Sequence, residues 1–244
     1  MNIHVHSIVY NEERMLPFFL DHYYRFANKV FLYDNGSDDQ TVAIAERWPG
    51  TVVIPHDTGG EFSEMPNLHL KNNAWKERSR GQADWVIVCD ADEFIYHPDI
   101  LGYLAGCTAR GVTVPRPTGY WMTSPSFPEA GRPITEQVRK GRHSAMWSKA
   151  AVFNPSLEEI GYGPGCHGDG TGARGQVVFD DDPEFKLLHM AFLGLDWIKW
   201  RWGRNAARRC WHDRQVGFSI HAVHFVEQAE GRFADDLANC HEVI

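Results

Sequence analysis

Short β-rich runs alternate with helix-like stretches through the first ninety residues, and this alternation restricts the fold more than any other feature of the sequence. The β-rich runs are "NIHVHSIVY", "KVFLY", "TVVIP" and "WVIVC". Between them apolar residues recur at helical spacing, as from Leu16 to Ala27. The pattern predicts a doubly wound α/β unit. "WVIVC" has no polar alternation, which is typical of a central strand covered on both faces.

The predicted strands bring distant polar residues to one edge of the sheet. Parallel strands joined by right-handed crossovers have all their carboxyl ends on the same side. In open α/β sheets, ligands bind at that edge. We therefore expect Asn11–Glu12, Asp34–Asn35 and Asp90–Asp92 to surround one crevice.

Asp90 and Asp92 follow the buried run "WVIVC" directly. Residues i and i+2 at the end of a strand point the same way, so the two carboxylates are predicted to converge. Converging carboxylates can share Mg²⁺ or Mn²⁺ with a diphosphate. A second D-x-D, Asp180–Asp182, stands in the acidic turn "FDDDPE", where we expect only solvated charge.

Three further residues are candidates for contact with a nucleotide. A carboxylate at Asp34 can accept hydrogen bonds from a ribose hydroxyl or a base N–H. The alternative is that "DNGSDD" is a turn with a helix cap. Lys71 and Asn72, on the third predicted helix, can reach the nucleotide or the sugar. Their alternative is an exposed helical face.

Charge and length exclude several classes of protein. The net charge of −8 argues against general nucleic-acid binding, which requires a basic surface. The five cysteines are far apart and form no C-x-x-C pair, so we expect reduced thiols in a cytoplasmic protein. We expect no signal peptide and no transmembrane segment. We predict a single domain over residues 1–244, with a nucleotide-sugar half (1–96) and an acceptor-side half (97–244).

Three stretches carry a resemblance to a known family: "IVYNEE", "LYDNGSDDQT" and "LKNNAWKERSRGQADWVIVCDADEF". They resemble the glycosyltransferase family 2-like proteins, which have the A-type glycosyltransferase fold with a Rossmann-like, nucleotide-binding mixed sheet. The resemblance implies that Asn11, Glu12 and Asp34 hold the nucleoside. It further implies that Asp90 and Asp92 carry the metal and the sugar diphosphate. The family's late acidic pair, which supplies the inverting base, has no counterpart that we can place.

Histidines and one aspartate are the candidates in the second half. His189, in "KLLHMAF", resembles the late histidine that completes the metal or diphosphate site in many A-type transferases; the alternative is a core histidine. His167 is the second choice, and Asp169 is a candidate for the base that takes the acceptor's proton. The glycine-rich stretch around His167 fits G-x-G-x-x-G but lacks the strand and helix of a Rossmann turn. We interpret it as a flexible lid over the sugar.

The segment 197–214 is rich in tryptophan and arginine. It is predicted to be a basic helix, for which we consider three roles. It contacts the diphosphate or an anionic acceptor, it adheres to a membrane surface, or it is an amphipathic helix with its tryptophans in the core. The membrane role would make the protein peripheral to the inner membrane.

These observations predict a metal-dependent hexosyltransferase that moves a sugar from a nucleoside diphosphate sugar to an acceptor hydroxyl, with Asp92 at the centre of the reaction. The acceptor is expected to be a glycan or a lipid-linked molecule, and the resemblance implies inversion. One alternative is a sugar-phosphate nucleotidylyltransferase, which requires a glycine-rich basic loop where this chain has "NEERM". The other is a non-catalytic nucleotide- or carbohydrate-binding module.

Overall fold

The first half of the chain folds into the predicted alternation of strands and helices. The computed structural model describes residues 1–166, 168–217 and 221–244. Its first elements are β1 (Ile3–Val9), α1 (Leu16–Tyr23), β2 (Lys29–Asp34), α2 (Thr41–Ala45), β3 (Thr51–Pro55), α3 (Glu64–Arg78) and β4 (Trp85–Val88). Pro17 lies in the first turn of α1, where its missing N–H breaks no helical hydrogen bond.

The second half has shorter and less regular elements. They are β5 (Glu93–Tyr96), α4 (Ile100–Ala109), β6 (Val114–Pro115), β7 (Thr118–Ser124), α5 (Ile134–Gln137), β8 (Lys140–His143), β9 (Val152–Phe153), β10 (Phe179–Asp180), β11 (Lys186–Leu193), α6 (Leu195–Arg208), α7 (Trp211–Val216), α8 (His221–Asn239) and β12 (His241–Glu242). The predicted strands "GVTVPRP" and "SKAAVF" correspond to the two-residue strands β6 and β9.

Two five-stranded sheets form the framework, with the strand orders β3-β2-β1-β4-β9 and β12-β8-β7-β11-β5. In the first sheet β1 to β4 run parallel, and β9 pairs antiparallel with β4. In the second sheet β7 and β11 are parallel, and the other pairs are antiparallel. The carboxyl ends of β1, β2 and β4 therefore share one edge, as predicted.

The largest apolar core cluster joins both halves of the chain. It combines residues of α1, β1 and β4 with residues of α4, β11 and α6, including Trp197. All four residues of β4 are buried, which confirms the central strand that its unbroken apolar run predicts.

Three details of the second half differ from the expectations or lie outside the described residues. His189 was expected near the end of its strand, but β11 continues to Leu193. The segment 197–214 forms two helices, because Arg209 and Cys210 have extended backbone angles. The glycine-rich stretch contains a 3-10 turn, Pro164–Cys166, while His167 lies outside the described residues. No helix in the described ranges is both long and apolar enough to span a bilayer.

Candidate active site

Acidic side chains from two separate stretches meet at the carboxyl edge of the first sheet. Glu12 follows β1, while Asp90 and Asp92 lie in the turn between β4 and β5. Glu93, the first residue of β5, completes the turn. Glu12 and Asp92 are each only 4% exposed. Buried carboxylates are costly unless cations pair with them, so their partners decide what this edge can do.

Two arginines of α6 provide the partners of Glu12 and Asp92. Arg201 Nη1 donates to Glu12 Oε1 at 2.8 Å and to Oε2 at 2.7 Å. Arg201 Nη2 lies 3.0 Å from Asp92 Oδ2. Arg204 Nη2 donates to Glu12 Oε1 at 2.9 Å. One helix of the acceptor-side half thereby binds acids that follow two strands of the nucleotide half.

The role of these arginines was only partly foreseen. The sequence showed a basic helix and offered contact with a diphosphate as one of three roles. The useful signal was the spacing of Arg201, Arg204 and Arg208, which places all three on one helical face. Trp197 and Trp202 are buried in the core, as the amphipathic alternative predicted, whereas Trp200 and Trp211 are exposed. The arginines point to the acids rather than to open water.

Lys71 of α3 pairs with Asp90. Its Nζ donates to Asp90 Oδ1 at 2.6 Å. Burial would raise the pKa of Asp90, but Lys71 and Lys149 outweigh it and lower the pKa to about 2. Asp90 is therefore ionised at neutral pH, with an ammonium group at its side.

Asn72, the neighbour of Lys71, has a different task from the one predicted. Its Nδ2 donates to the carbonyl oxygen of Tyr162 at 3.1 Å, and its Oδ1 accepts from the N–H of Tyr162 at 2.9 Å. The amide thus ties the loop after β9 to α3. With both ends of its amide engaged, Asn72 supports the site rather than facing a nucleotide.

His189 joins the acid cluster from the middle of β11. Its Nε2 lies 3.0 Å from Asp92 Oδ2. The imidazole ring packs against Trp147, with the ring centroids 3.9 Å apart. Its Nδ1 is buried without a hydrogen-bond partner among the described residues. The structure brings His189 to Asp92, and its predicted part in a metal or diphosphate site stays a prediction.

Burial and charge act in opposite directions on Asp92. Burial would raise its pKa, but the positive charge of Arg201 and the contact with His189 hold the pKa well below its usual range. Burial would likewise lower the pKa of Arg201, and Asp92 together with Glu12 raises it instead. The pair is therefore fully ionised within the protein.

The loops after β1 and β2 are joined through Asn11. Its backbone has a φ of 50°, a left-handed conformation that Asn adopts more readily than most residues. Its Nδ2 donates to Asp38 Oδ1 at 2.6 Å, and its Oδ1 accepts from the N–H of Asp38 at 2.9 Å. The two carboxylate oxygens of Asp34 accept from the N–H of Ser37, each at 3.2 Å, as the turn interpretation of "DNGSDD" predicts.

An aromatic ring and a third arginine lie beside these loops. The guanidinium carbon of Arg208 is 3.2 Å from the centroid of the Tyr10 ring. Arg208 Nη2 also donates to Asn35 Oδ1 at 2.7 Å. Burial is the main cause that lowers the pKa of Arg208 from its ordinary value. This corner combines a flat ring, an amide and a cation within reach of Asp34.

Asp169 lies in a different surface depression. It is exposed, and its Oδ1 accepts from the N–H of Thr171 at 3.0 Å. It lines a cavity of about 450 Å³ together with Arg116, His143, Asp181 and Asp182. Glu12, Asp90, Asp92 and Glu93 do not line this cavity. The structure thus does not bring Asp169 to the other predicted site residues.

The second D-x-D forms ion pairs rather than a metal site. Asp180 pairs with Arg110, whose Nη2 is 2.9 Å from Oδ1. Arg116 donates to both oxygens of the intervening Asp181. The charge at this turn is partly neutralised by arginine, which the sequence analysis did not predict.

Asp92, with His189 beside it, could hold a divalent cation only together with a phosphorylated ligand. Mg²⁺ is commonly bound through one or two protein ligands plus substrate phosphates at roughly 2.1 Å. Asp92 Oδ2 lies 3.0 Å from His189 Nε2 and 3.0 Å from Arg201 Nη2, which are hydrogen-bond and ion-pair distances, so a cation at Asp92 would have to replace the contact with the imidazole. Within the described ranges no group of three His, Cys, Asp or Glu side chains is arranged to hold a metal alone. A cation here would need the ligand's own oxygens.

The comparisons with known proteins rest on structure. No protein-family model matches the sequence, and no curated protein matches it. The chain is similar to S. aureus TarS 1–349 in complex with UDP-GlcNAc, with a TM-score of 0.50 at 14% identity, over 96% of this chain and 72% of that chain. A second structure of TarS 1–349 gives a TM-score of 0.44 at 16% identity, over 64% of this chain and 48% of that chain. In that match, the aligned region spans about half the length of the TarS chain.

A synthase from a second organism is also similar. Glucosyl-3-phosphoglycerate synthase from Mycobacterium tuberculosis, in complex with Mn²⁺, UDP and glucosyl-3-phosphoglycerate, gives a TM-score of 0.34 at 19% identity. The match covers 49% of this chain and 44% of that chain. TarS and this synthase are A-type glycosyltransferases. The TarS complex that aligns over nearly the whole chain shows that the protein has the A-type glycosyltransferase fold, as the motifs of its first half predicted.

Proposed function

We propose that the protein transfers a sugar from a nucleoside diphosphate sugar to an acceptor hydroxyl. The observation that carries this proposal is a set of ion pairs at the carboxyl edge of a parallel sheet. They join Asp90 to Lys71 of α3, and Glu12 and Asp92 to Arg201 of α6. In open α/β sheets this edge binds ligands. Fixed cations beside ionised acids suit a donor that is itself anionic and gains charge on its leaving group.

We propose that one group of side chains binds the nucleoside of the donor and another binds its diphosphate. Tyr10 and Asp34 lie at the ends of β1 and β2, where a nucleoside can stack and hydrogen-bond, and Asn35 beside them binds Arg208. We propose that Lys71, which binds Asp90, and Arg204, which binds Glu12, donate to phosphate oxygens. We propose that Asn11 and Glu12 hold this arrangement, because their polar atoms already bind Asp38 and the α6 arginines.

A divalent cation is part of the proposal. Asp92 and His189 would hold Mn²⁺ or Mg²⁺, with Asp90 beside them, and the cation would neutralise charge on the departing diphosphate. The cations found with the M. tuberculosis synthase motivate the choice of Mn²⁺ and Mg²⁺ for the test. Arg201 supplies a permanent positive charge at the same carboxylate.

The acceptor and the stereochemistry belong to the proposal as well. We propose a glycan or lipid-linked acceptor, a hexosyl donor and inversion, with Asp169 as the predicted base. A base must come within hydrogen-bond reach of the acceptor hydroxyl, so acceptor binding would have to bring Asp169 and the donor together. Peripheral contact with a membrane stays a prediction, and the α6 arginines do not support it because they bind site acids.

Donor binding is tested by thermal stabilisation with UDP-GlcNAc, UDP-glucose, GDP and ADP, each with and without Mn²⁺. UDP-GlcNAc comes first because TarS was crystallised with it. A ligand at a hundred times its Kd adds about 2.7 kcal/mol of stability. We expect stabilisation by one nucleotide class that depends on Mn²⁺, followed by slow hydrolysis of its sugar donor.

Asp92→Asn is the matched variant, because it keeps the shape of the side chain and removes its charge. We expect it to fold and to lose donor hydrolysis. Metal-independent binding without hydrolysis by the wild-type protein would contradict the transferase and favour a binding module. Normal hydrolysis by Asp92→Asn would remove Asp92 from the mechanism.

A further inference from the structure

A buried ion pair involves the last residue of the turn Asp90–Glu93 between β4 and β5 (the acid turn). Lys149 Nζ is 2.6 Å from Glu93 Oε1, and the two side chains are 2% and 0% exposed. Lys149 comes shortly before β9, and Glu93 begins β5, so the pair joins β5 to the segment that leads into a strand of the other sheet. The proposed function assigns neither residue a task.

Stability alone is a poor explanation for this pair. Two charges lose their hydration when they are buried, and their attraction often does no more than offset that loss. Apolar residues of similar size frequently replace such pairs without loss of stability. A buried ion pair can instead fix the geometry of the groups that it contacts.

The geometry holds the acid turn. Glu93 Oε2, the oxygen that does not face Lys149, accepts from the N–H of Asp90 at 2.9 Å. The N–H of Glu93 donates to the carbonyl oxygen of Asp90 at 3.0 Å, which closes the turn from the other side. The hydroxyl of Tyr23 donates to the carbonyl oxygen of Glu93 at 2.9 Å. Lys149 thus binds one oxygen of the Glu93 carboxylate while the Asp90 amide binds the other.

The segment that carries Lys149 also supports the opposite side of the site. Trp147, two residues earlier, packs its ring on His189. His189 in turn contacts Asp92. Residues 147–149 therefore contact both Glu93 and His189, which in turn bind Asp90 and Asp92.

We infer that Lys149 and Glu93 are positioning residues: the buried ion pair orients the Glu93 carboxylate so that it binds the Asp90 amide and fixes the Asp90–Asp92 turn towards the donor. The effect of this pair on turnover rests on the proposed function, whereas its effect on the turn does not. Neither residue touches the reacting atoms.

The double variant Glu93→Gln with Lys149→Met tests the inference, because it removes both charges and keeps both side-chain sizes. We expect a folded protein in which hydrogen exchange at the Asp90 amide is at least tenfold faster, with unchanged exchange in β1. Donor hydrolysis should lose at least tenfold in kcat/KM. Should this variant fail to fold, Glu93→Asp keeps the charge but is too short to hold both partners, and it should show the same two losses.

The control is the corresponding double variant of Lys76 and Glu159, Lys76→Met with Glu159→Gln, since these residues form a partly buried ion pair outside the site. It should leave Asp90 exchange and kcat/KM within twofold of the wild type. Unchanged Asp90 exchange or unchanged kcat/KM in the Glu93 variants would overturn the inference. If the wild-type protein hydrolyses no donor, the proposed function fails, and Asp90 exchange alone still decides whether the pair positions the turn.

Discussion

Arg201 is the residue that forms ion pairs with both buried acids, Glu12 and Asp92. It contacts both oxygens of Glu12 and one oxygen of Asp92, and its side chain is only 11% exposed. Buried acids are tolerated when a cation contacts them at hydrogen-bond distance, and they become costly when it is removed. Arg201 is therefore a structural as well as an electrostatic part of the site.

Replacing Arg201 by Met is expected to lower the free energy of unfolding by about 3–5 kcal/mol, because it breaks buried ion pairs and leaves Glu12 and Asp92 under-compensated. Urea denaturation at neutral pH measures the loss. Arg204→Met is the matched control, since Glu12 keeps both hydrogen bonds from Arg201, and its loss should be about 1–2 kcal/mol. Equal losses in the two variants would contradict the special position of Arg201.

The acids of this site were predictable from sequence, and most of their partners were not. Glu12, Asp90 and Asp92 follow predicted parallel strands, whose shared edge follows from crossover handedness. Arg201 reaches Asp92, and Lys149 reaches the adjacent Glu93, from segments more than fifty residues away along the chain. Local periodicity shows which face of a helix is polar, but it contains no information about which distant acid that face meets.

At the scale of single elements, α3 shows how neighbouring residues can have unlike tasks. Lys71 faces the acid turn, whereas Asn72 binds the main chain of Tyr162 from the loop after β9. Asn73, the next residue, donates to the carbonyl oxygen of His69 within its own helix. A helix turns by about 100° per residue, so consecutive side chains point to different surroundings.

Asn72→Ala is expected to cost about 2 kcal/mol, since it removes two hydrogen bonds between α3 and Tyr162 at about 1 kcal/mol each. Limited proteolysis should show earlier cleavage in the loop around Tyr162. Asn73→Ala, one position along, should change stability by no more than about 0.5 kcal/mol. If the two alanine variants have the same stability and the same cleavage pattern, Asn72 does not hold the loop.

The strand that carries His189 could be recognised from sequence, but its end could not. "FKLLHMAFL" has the composition of a buried strand, and β11 confirms it. The expected end of the strand near His189 is wrong, because β11 continues to Leu193. β5 pairs with β11 only as far as His189, whereas β7 pairs with it up to Leu193, and such pairing is a tertiary effect.

At the scale of the whole molecule, the two predicted halves share their sheets and their core. β9 of the second half pairs with β4 of the first half, and β5 pairs with β11. Arg201 adds buried ion pairs from α6 to the loop after β1 and to the acid turn. Residues of both halves meet in the same core cluster, and a single domain over residues 1–244 stays our prediction.

One cooperative unfolding transition is the expected consequence, because opening either half exposes apolar residues and ion pairs that belong to both. Calorimetric and van't Hoff enthalpies should agree, and melting curves from tryptophan fluorescence and far-UV circular dichroism should coincide. The fragment 1–96 should remain unfolded, since it lacks β9 beside β4 and both arginines that pair with Glu12. Two separate transitions, or a fragment 1–96 that melts cooperatively, would show that the halves are independent domains. The acid turn would then have to be treated as an interface between them.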